Sequence, residues 1–226
     1  MNSPRPSGAF TVLEMLVAAA VFLMMATLLF AMMSQVNAAW QQADGQKNRR
    51  ELGRALVDLM ARDLQGTIPP LPGSGTNVVN FQLETGAVGI ADSDCVFWQT
   101  RLPANRAMTD VMTVGYYVGT NHEFYRAAQS GPLPSIVAEA AGLGATNGVL
   151  AEGVVRMAVQ AFNRDGSTAS GSAVYSTNLP SAIEVTLAIA DGRTLARNPT
   201  LAVPDFDNPP PGVHVFRSRI DLPCSQ

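Results

Sequence analysis

Glu14 is the residue of this sequence best placed to do chemistry. It stands at the head of an apolar run, and no charged residue follows it until Asp44. A bilayer core of about 30 Å needs roughly 20 apolar residues as a helix, so the run is long enough to span a membrane. An ionisable group at that depth is expensive and points to function. A carboxylate in lipid needs a cationic partner, and the pair would act in a low dielectric. Just ahead of it come Gly8-Ala9-Phe10-Thr11. In a secretory signal peptide the small residues follow the apolar run and mark the cut. Here they precede it, and no such site follows before the polar stretch from Ser34 to Ala43. The apolar segment is therefore expected to stay on the mature chain.

The remaining candidates are weaker. Cys95 and Cys224 are too few for a disulfide scaffold and lack zinc-site spacing. In an oxidising compartment they can form a bridge, which would contribute about 4–5 kcal/mol by closing a long loop. Two separate thiols are the alternative. His122 and His214 have no Cys, Asp or Glu neighbour at metal-ligand spacing, so structural or solvated roles are expected. Asp92-Ser93-Asp94 and Asp205-Phe206-Asp207-Asn208 are acidic, but lack the glycine and distal glutamate of an EF-hand. No serine sits in Gly-x-Ser-x-Gly, and no nucleophile–base pair can be argued. No catalytic residue, metal or cofactor is expected, and the chain does not read as an enzyme.

The elements that carry these residues follow from composition and periodicity. The chain has 226 residues, 15% charged, with net charge −3. Ordinary soluble domains carry about 25% charged residues. The balance gives no basic field for nucleic acid, and Lys47-Asn48-Arg49-Arg50 reads as a solvated helix face. Residues 1–9 form a polar leader whose Pro4 and Pro6 keep it out of the helix. Arg5 is its only charged side chain, on the side that the positive-inside rule keeps cytoplasmic. Phe10 to Gln65 is free of proline and reads as one long helix, membrane-spanning over 10–33 and amphipathic over 34–66. Its second half has an apolar stripe, Leu52, Leu56, Leu59, Met60 and Leu64, opposite Arg49, Arg50, Arg54, Asp58, Arg62 and Asp63. Gly45 is a weak spot, Gly66 the C-cap, and Pro69-Pro70 forbid continuation. Trp40 serves equally well as an interfacial anchor or as a packing residue.

Residues 67–226 change pattern and read as a β-rich head. Strands are expected at Val78–Leu83, Cys95–Thr100, Val111–Val118, Glu123–Ala127, Val149–Asn163, Ala182–Ala190 and His214–Ile220. Arg164-Asp165-Gly166 and Asp191-Gly192 read as turns, Gly131–Gly148 and Asn198–Gly212 as loops. The fold class is α+β, a long helix packed on an antiparallel sheet.

The stretch from Gly8 to Leu16, Gly-Ala-Phe-Thr-Val-Leu-Glu-Met-Leu, resembles the class III leader of type IV pilins and type II secretion pseudopilins. The resemblance implies that a membrane aspartyl peptidase, the prepilin peptidase, cuts before Phe10 and methylates its new amine. Glu14 is then fifth in the mature chain, as in the family. Ala9 stands where the family usually has glycine. A cut after Gly8 would instead make Ala9 the methylated terminus. The resemblance further implies that Glu14 pairs with the α-amino group of a neighbouring subunit in a fibre.

Leu52–Leu64, Asp110–Val118 with Glu123-Phe124-Tyr125-Arg126, Val149–Arg156, Phe162–Gly166 and Leu179–Leu187 look like J-type minor pseudopilins, in the same order. The layout also resembles the pilin-like C protein of the Verru_Chthon cassette. The implied role is a minor subunit at a fibre tip in secretion. Its partners would be other pseudopilins or pilins, the prepilin peptidase and the bacterial inner membrane, with the N-terminus cytoplasmic and the head periplasmic. No nucleic acid is expected. The alternatives are a minor pilin for adhesion or DNA uptake, and a membrane-anchored periplasmic binding or enzyme domain that never polymerises.

Overall fold

The computed structural model describes residues 11–67, 81–86, 89–101, 111–130, 148–175, 179–202 and 205–222. The expected elements in 1–10, 68–80 and 131–147, and Cys224, lie outside the described residues. The first helix, α1, covers Val12–Gln65. Two compact units divide it, Met1–Lys47 and Asn48–Gln226. In the first unit the helix is apolar on every side, and its large hydrophobic side chains from Val12 to Val36 are exposed.

The second unit holds the rest of α1 and, among the described residues, ten strands. These are β1 Phe81–Thr85, β2 Asp94–Arg101, β3 Val111–Val118, β4 Glu123–Ser130 and β5 Gly148–Glu152, then β6 Val154–Phe162, β7 Thr168–Ser170, β8 Ala173–Tyr175, β9 Ala182–Ala190 and β10 Val213–Asp221. A short helix, α2, covers Gly192–Arg197. The class is α+β with antiparallel pairing, as expected, and the described strands form two sheets. One has six strands in the order β5-β4-β3-β2-β1-β8, the other four in the order β10-β9-β6-β7. The expected strand over Val149–Asn163 divides at Gly153, whose φ of +86° is a left-handed value that favours glycine. There the chain leaves the first sheet for the second.

Alternation explains the layers. On β3, Val114, Tyr116 and Val118 are buried on one face, as are Met157, Val159 and Ala161 on β6. These faces meet in one core with Trp98, Phe124, Ile183, Val185 and Leu187. Leu56, Val57, Met60 and Leu64 of α1 join that core, while Arg54, Asp58 and Arg62 face solvent. Burying one such leucine contributes about 1.5–3 kcal/mol. The other face of the four-stranded sheet buries Val155, Ala188, Ala190 and Val213, with Leu195, Leu201 and Phe206 packed against them.

Gly53 of α1 is needed for close approach. A Cβ there would lie 2.6 Å from the Phe216 ring of β10. Gly66 ends α1 in a similar way, since a Cβ would lie 2.5 Å from Thr100 Oγ1. It does not take the left-handed conformation of the expected cap. The closing bonds come from Thr67, whose N–H and hydroxyl donate to Leu64 O at 3.0 and 2.6 Å.

Candidate functional site

At the start of α1, Thr11 and Glu14 form a reciprocal capping box. The Thr11 N–H donates to Glu14 Oε2 at 3.0 Å, and the Glu14 N–H donates to Thr11 Oγ1 at 3.3 Å. The Thr-x-x-Glu spacing provides this, because a Ser or Thr at the N-cap and a Glu three residues on satisfy each other's backbone. The Thr11 hydroxyl also donates to the same oxygen, at 3.3 Å. Glu14 therefore sits in the first turn, where the helix dipole favours a negative charge. Sequence reasoning assigned Glu14 only an intermolecular partner and missed this local one, although the Thr-x-x-Glu signal was present. Gly8, Ala9 and Phe10, the proposed processing site, lie outside the described residues. The helix that Glu14 opens is long and apolar enough to cross a membrane. Trp40 is exposed on it.

A second polar centre lies where α1 ends against the first sheet. Asp63 was expected on the solvated face of the helix. Instead its Oδ2 accepts from the Tyr116 hydroxyl and from Arg126 Nε, each at 2.7 Å. Its main-chain oxygen accepts from Trp98 Nε1 at 3.3 Å. Trp98 and Phe124 both stack on Tyr116, with ring centroids 5.5 and 5.7 Å from its own. Burial, then the bond to Asp63, pushes the Tyr116 hydroxyl far above its ordinary value. The partners come from three elements distant in sequence, so no local pattern could reveal them. The arrangement orients and locks; among the described residues no nucleophile stands beside it.

Arg49 is likewise half-buried and not on a solvated face. Its Nη2 stands 3.2 Å from His214 Nε2 on β10, and its Nη1 3.9 Å from Asp191 Oδ2. A guanidinium can only donate, so His214 is neutral with Nε2 as acceptor. Burial, followed by the charges of Arg49 and Arg50, lowers the His214 pKa. Asp191 was read as part of a turn. It is the N-cap of α2, accepting the Thr194 N–H at 2.5 Å. The Thr194 hydroxyl, followed by this main-chain bond and the charges of Arg49 and Arg193, holds its carboxyl below the usual range against the cost of burial.

The acidic clusters are structural. Asp94 accepts the Val159 N–H at 2.7 Å and the Thr85 hydroxyl at 2.6 Å, tying the two sheets together. Asp205 accepts the Asp207 N–H at 2.8 Å within its loop. No group of three His, Cys, Asp or Glu side chains among the described residues could hold a metal ion. Cys95 is buried on β2, and its thiol donates to Glu84 O at 3.3 Å. Its expected partner Cys224 lies outside the described residues.

A cleft of about 310 Å³ opens beside the β3–β4 turn, walled by Ile90, Val155 and Leu201 with His122 and Arg156 at its polar side. His122 has φ +61° and lies 2.8 Å through Nε2 from Pro199 O. Nε2 is then the donor, and the buried Nδ1 has no hydrogen-bond partner among the described residues. Arg156 Nε donates to Asp92 O at 2.8 Å.

A scan of known protein families and a search of curated proteins found no match to this chain.

Proposed function

We propose that this chain is a minor pilin-like subunit of a type II secretion pseudopilus or a related fibre. Its helix first anchors it in the bacterial inner membrane with the N-terminus inside. A prepilin peptidase removes the leader, before Phe10 or before Ala9, and methylates the new amine. The subunit then assembles through the same helix, and its β-rich head works in the periplasm at the fibre tip. The observation that carries the reading is the position of Glu14, capped by Thr11 in the first turn of an apolar helix. Its carboxylate bonds stay local, so charge remains at the one depth where a neighbour's terminal amine could meet it. The resemblance of Gly8–Leu16 to the class III leader supports the processing step.

Expressing the chain with and without a prepilin peptidase tests this. Mass spectrometry should find a methylated N-terminus at Phe10 or Ala9 only with the peptidase. An intact Met1 terminus beside an active peptidase overturns the reading. Glu14→Ala should still insert in the membrane but lose cross-links to partner subunits, and unchanged cross-linking would remove the assembly role of Glu14.

A second reading, a tethered periplasmic binding domain that never polymerises, draws on the cleft at His122 and the unpartnered Nδ1 there. It requires no new N-terminus.

A further inference from the structure

The second compact unit begins at Asn48, and the first turn of α1 within it is weakly held. Asn48, Arg50 and Glu51 are exposed. Leu52 is only partly buried against the core, and the first buried apolar side chains of the helix are Leu56 and Val57. Ahead of Leu52 the covered side chain is Arg49, which is 14% exposed.

β10 meets this turn in step with it. Arg49 and Gly53, four apart, share one face of the helix. His214 and Phe216, two apart, share one face of the strand. Arg49 meets His214, and Gly53 meets the Phe216 ring. The two contacts differ in kind. Gly53 on Phe216 is packing and is indifferent to pH. Arg49 on His214 depends on a proton, because a guanidinium carries donors only and the ring Nε2, 3.2 Å away, has to accept.

A proton on Nε2 removes that acceptor and sets two cations against each other at the same distance. The charged groups that face the ring are Arg49 and Arg50 from α1, and Asp191 at the start of α2. Two cations against one acid leave a charged ring repelled from the helix. Asp191 cannot follow Arg49 outward, because its Oδ1 caps α2 through the Thr194 N–H at 2.5 Å. It stays beside the ring and attracts it once charged. Arg49 has little else to hold it. Its Nη1 is 3.9 Å from Asp191, and its buried Nε has no hydrogen-bond partner among the described residues.

We propose that this contact is an acid-released latch: protonation of His214 expels Arg49 and frees residues 48–52 of α1 from β10, while Leu56, Met60 and Leu64 keep the helix in the core. The place where the helix enters the head then loosens in acid without unfolding of the head. This device does not rest on leader processing or on assembly through Glu14.

The test uses the full chain in detergent micelles, titrated from pH ~8 to pH ~4.5, the range in which a histidine changes charge. NMR reads the protonation of the His214 ring and the exchange of the Arg49 Nε–H, scaled to free arginine at each pH. Protection of that N–H should fall about tenfold or more, with the midpoint of the His214 ring. The Val185 amide, on the central strand β9, should stay protected and so report that the head is intact. His214→Gln keeps an acceptor that cannot be charged, and Arg49 should remain protected throughout. Arg50→Gln removes one repelling cation and should move both midpoints up together. His214→Lys should leave Arg49 unprotected even at the alkaline end. Protection of Arg49 that persists after the ring is charged overturns the proposal. So does loss with an unchanged pH profile in His214→Gln. Loss in step with Val185 would mean that the head unfolds as a whole, and overturns it too.

Discussion

Replacing Asp63 with alanine removes the acceptor that α1 offers to the six-stranded sheet. The Tyr116 hydroxyl and the Arg126 guanidinium, each 2.7 Å from Oδ2, then lose their shared partner. Tyr116 is fully buried, so its hydroxyl cannot turn to water without moving Trp98 or Phe124. The carboxylate and guanidinium side chains are 20% and 28% exposed, which leaves the pair partly screened. Hydrogen bonds to charged groups contribute about 1.5–3 kcal/mol each, and an orphaned buried donor costs about 1–3 kcal/mol. With overlap between those effects, Asp63→Ala should destabilise the head by about 3 kcal/mol. A domain of this size then melts roughly 6–12 °C lower. Urea unfolding of the full chain in micelles, followed by Trp98 fluorescence, gives the free energy directly. Tyr116→Phe should cost only about 1 kcal/mol, because the charge pair survives it. A loss below about 1 kcal/mol for Asp63→Ala, or full additivity of Asp63→Ala with Arg126→Ala, would refute the idea that this centre locks helix to sheet.

Other perturbations follow from single contacts. His214 has a lowered pKa in the fold, so the unfolded chain protonates first, near its ordinary value of 6.5. Stability should therefore fall as pH drops below that value and level off once the folded His214 is also charged, and His214→Gln should flatten the slope between pH ~7.5 and ~5. Gly53→Ala would gain about 1 kcal/mol in helix propensity but meet the Phe216 ring, at about 1–3 kcal/mol for overpacking. A net loss in chemical denaturation is expected, turning to a relative gain in a Phe216→Ala background. Asp94→Ala leaves the buried Val159 N–H without its acceptor and should cost about 1–3 kcal/mol. The same change should speed amide exchange at Val159 ahead of its neighbours in β6.

Where sequence and structure agree, short-range pattern carried the information. Val111–Val118 and Ala182–Ala190 are recovered at their exact bounds because both are short runs rich in apolar and β-branched residues bounded by turn signals, and both are buried on the two faces over most of their length. The leucine spacing in α1 likewise finds the face that meets the core. β7 and β8 were not legible, because three residues are too few to show a period. α2 was hidden in the same way, since Asp191-Gly192 reads equally as a turn until the Thr194 bond shows it to be a cap. Asp63 and Arg49 were placed on the solvated face because helix spacing reports only the helix's own geometry. Their partners, Tyr116, Arg126 and His214, lie far along the chain, and only the folded sheets bring them near. For the candidate site, Thr11 and Glu14 were visible as residue types, but their mutual bond was overlooked in favour of a distant partner.

The single-residue passage at Gly153 has a consequence for the order in which the head is made. Everything before it, β1 to β5, is an up-and-down meander whose pairings join consecutive strands. Such near-neighbour contacts close quickly and do not wait for later sequence. During synthesis this meander can assemble while β6 to β10 are still inside the ribosome. Of the described later strands, only β8 pairs with it, through Ala173, Val174 and Tyr175 on β1. β10 follows all the other described strands in the sequence, so the longest edge of the described fold is laid down after the meander.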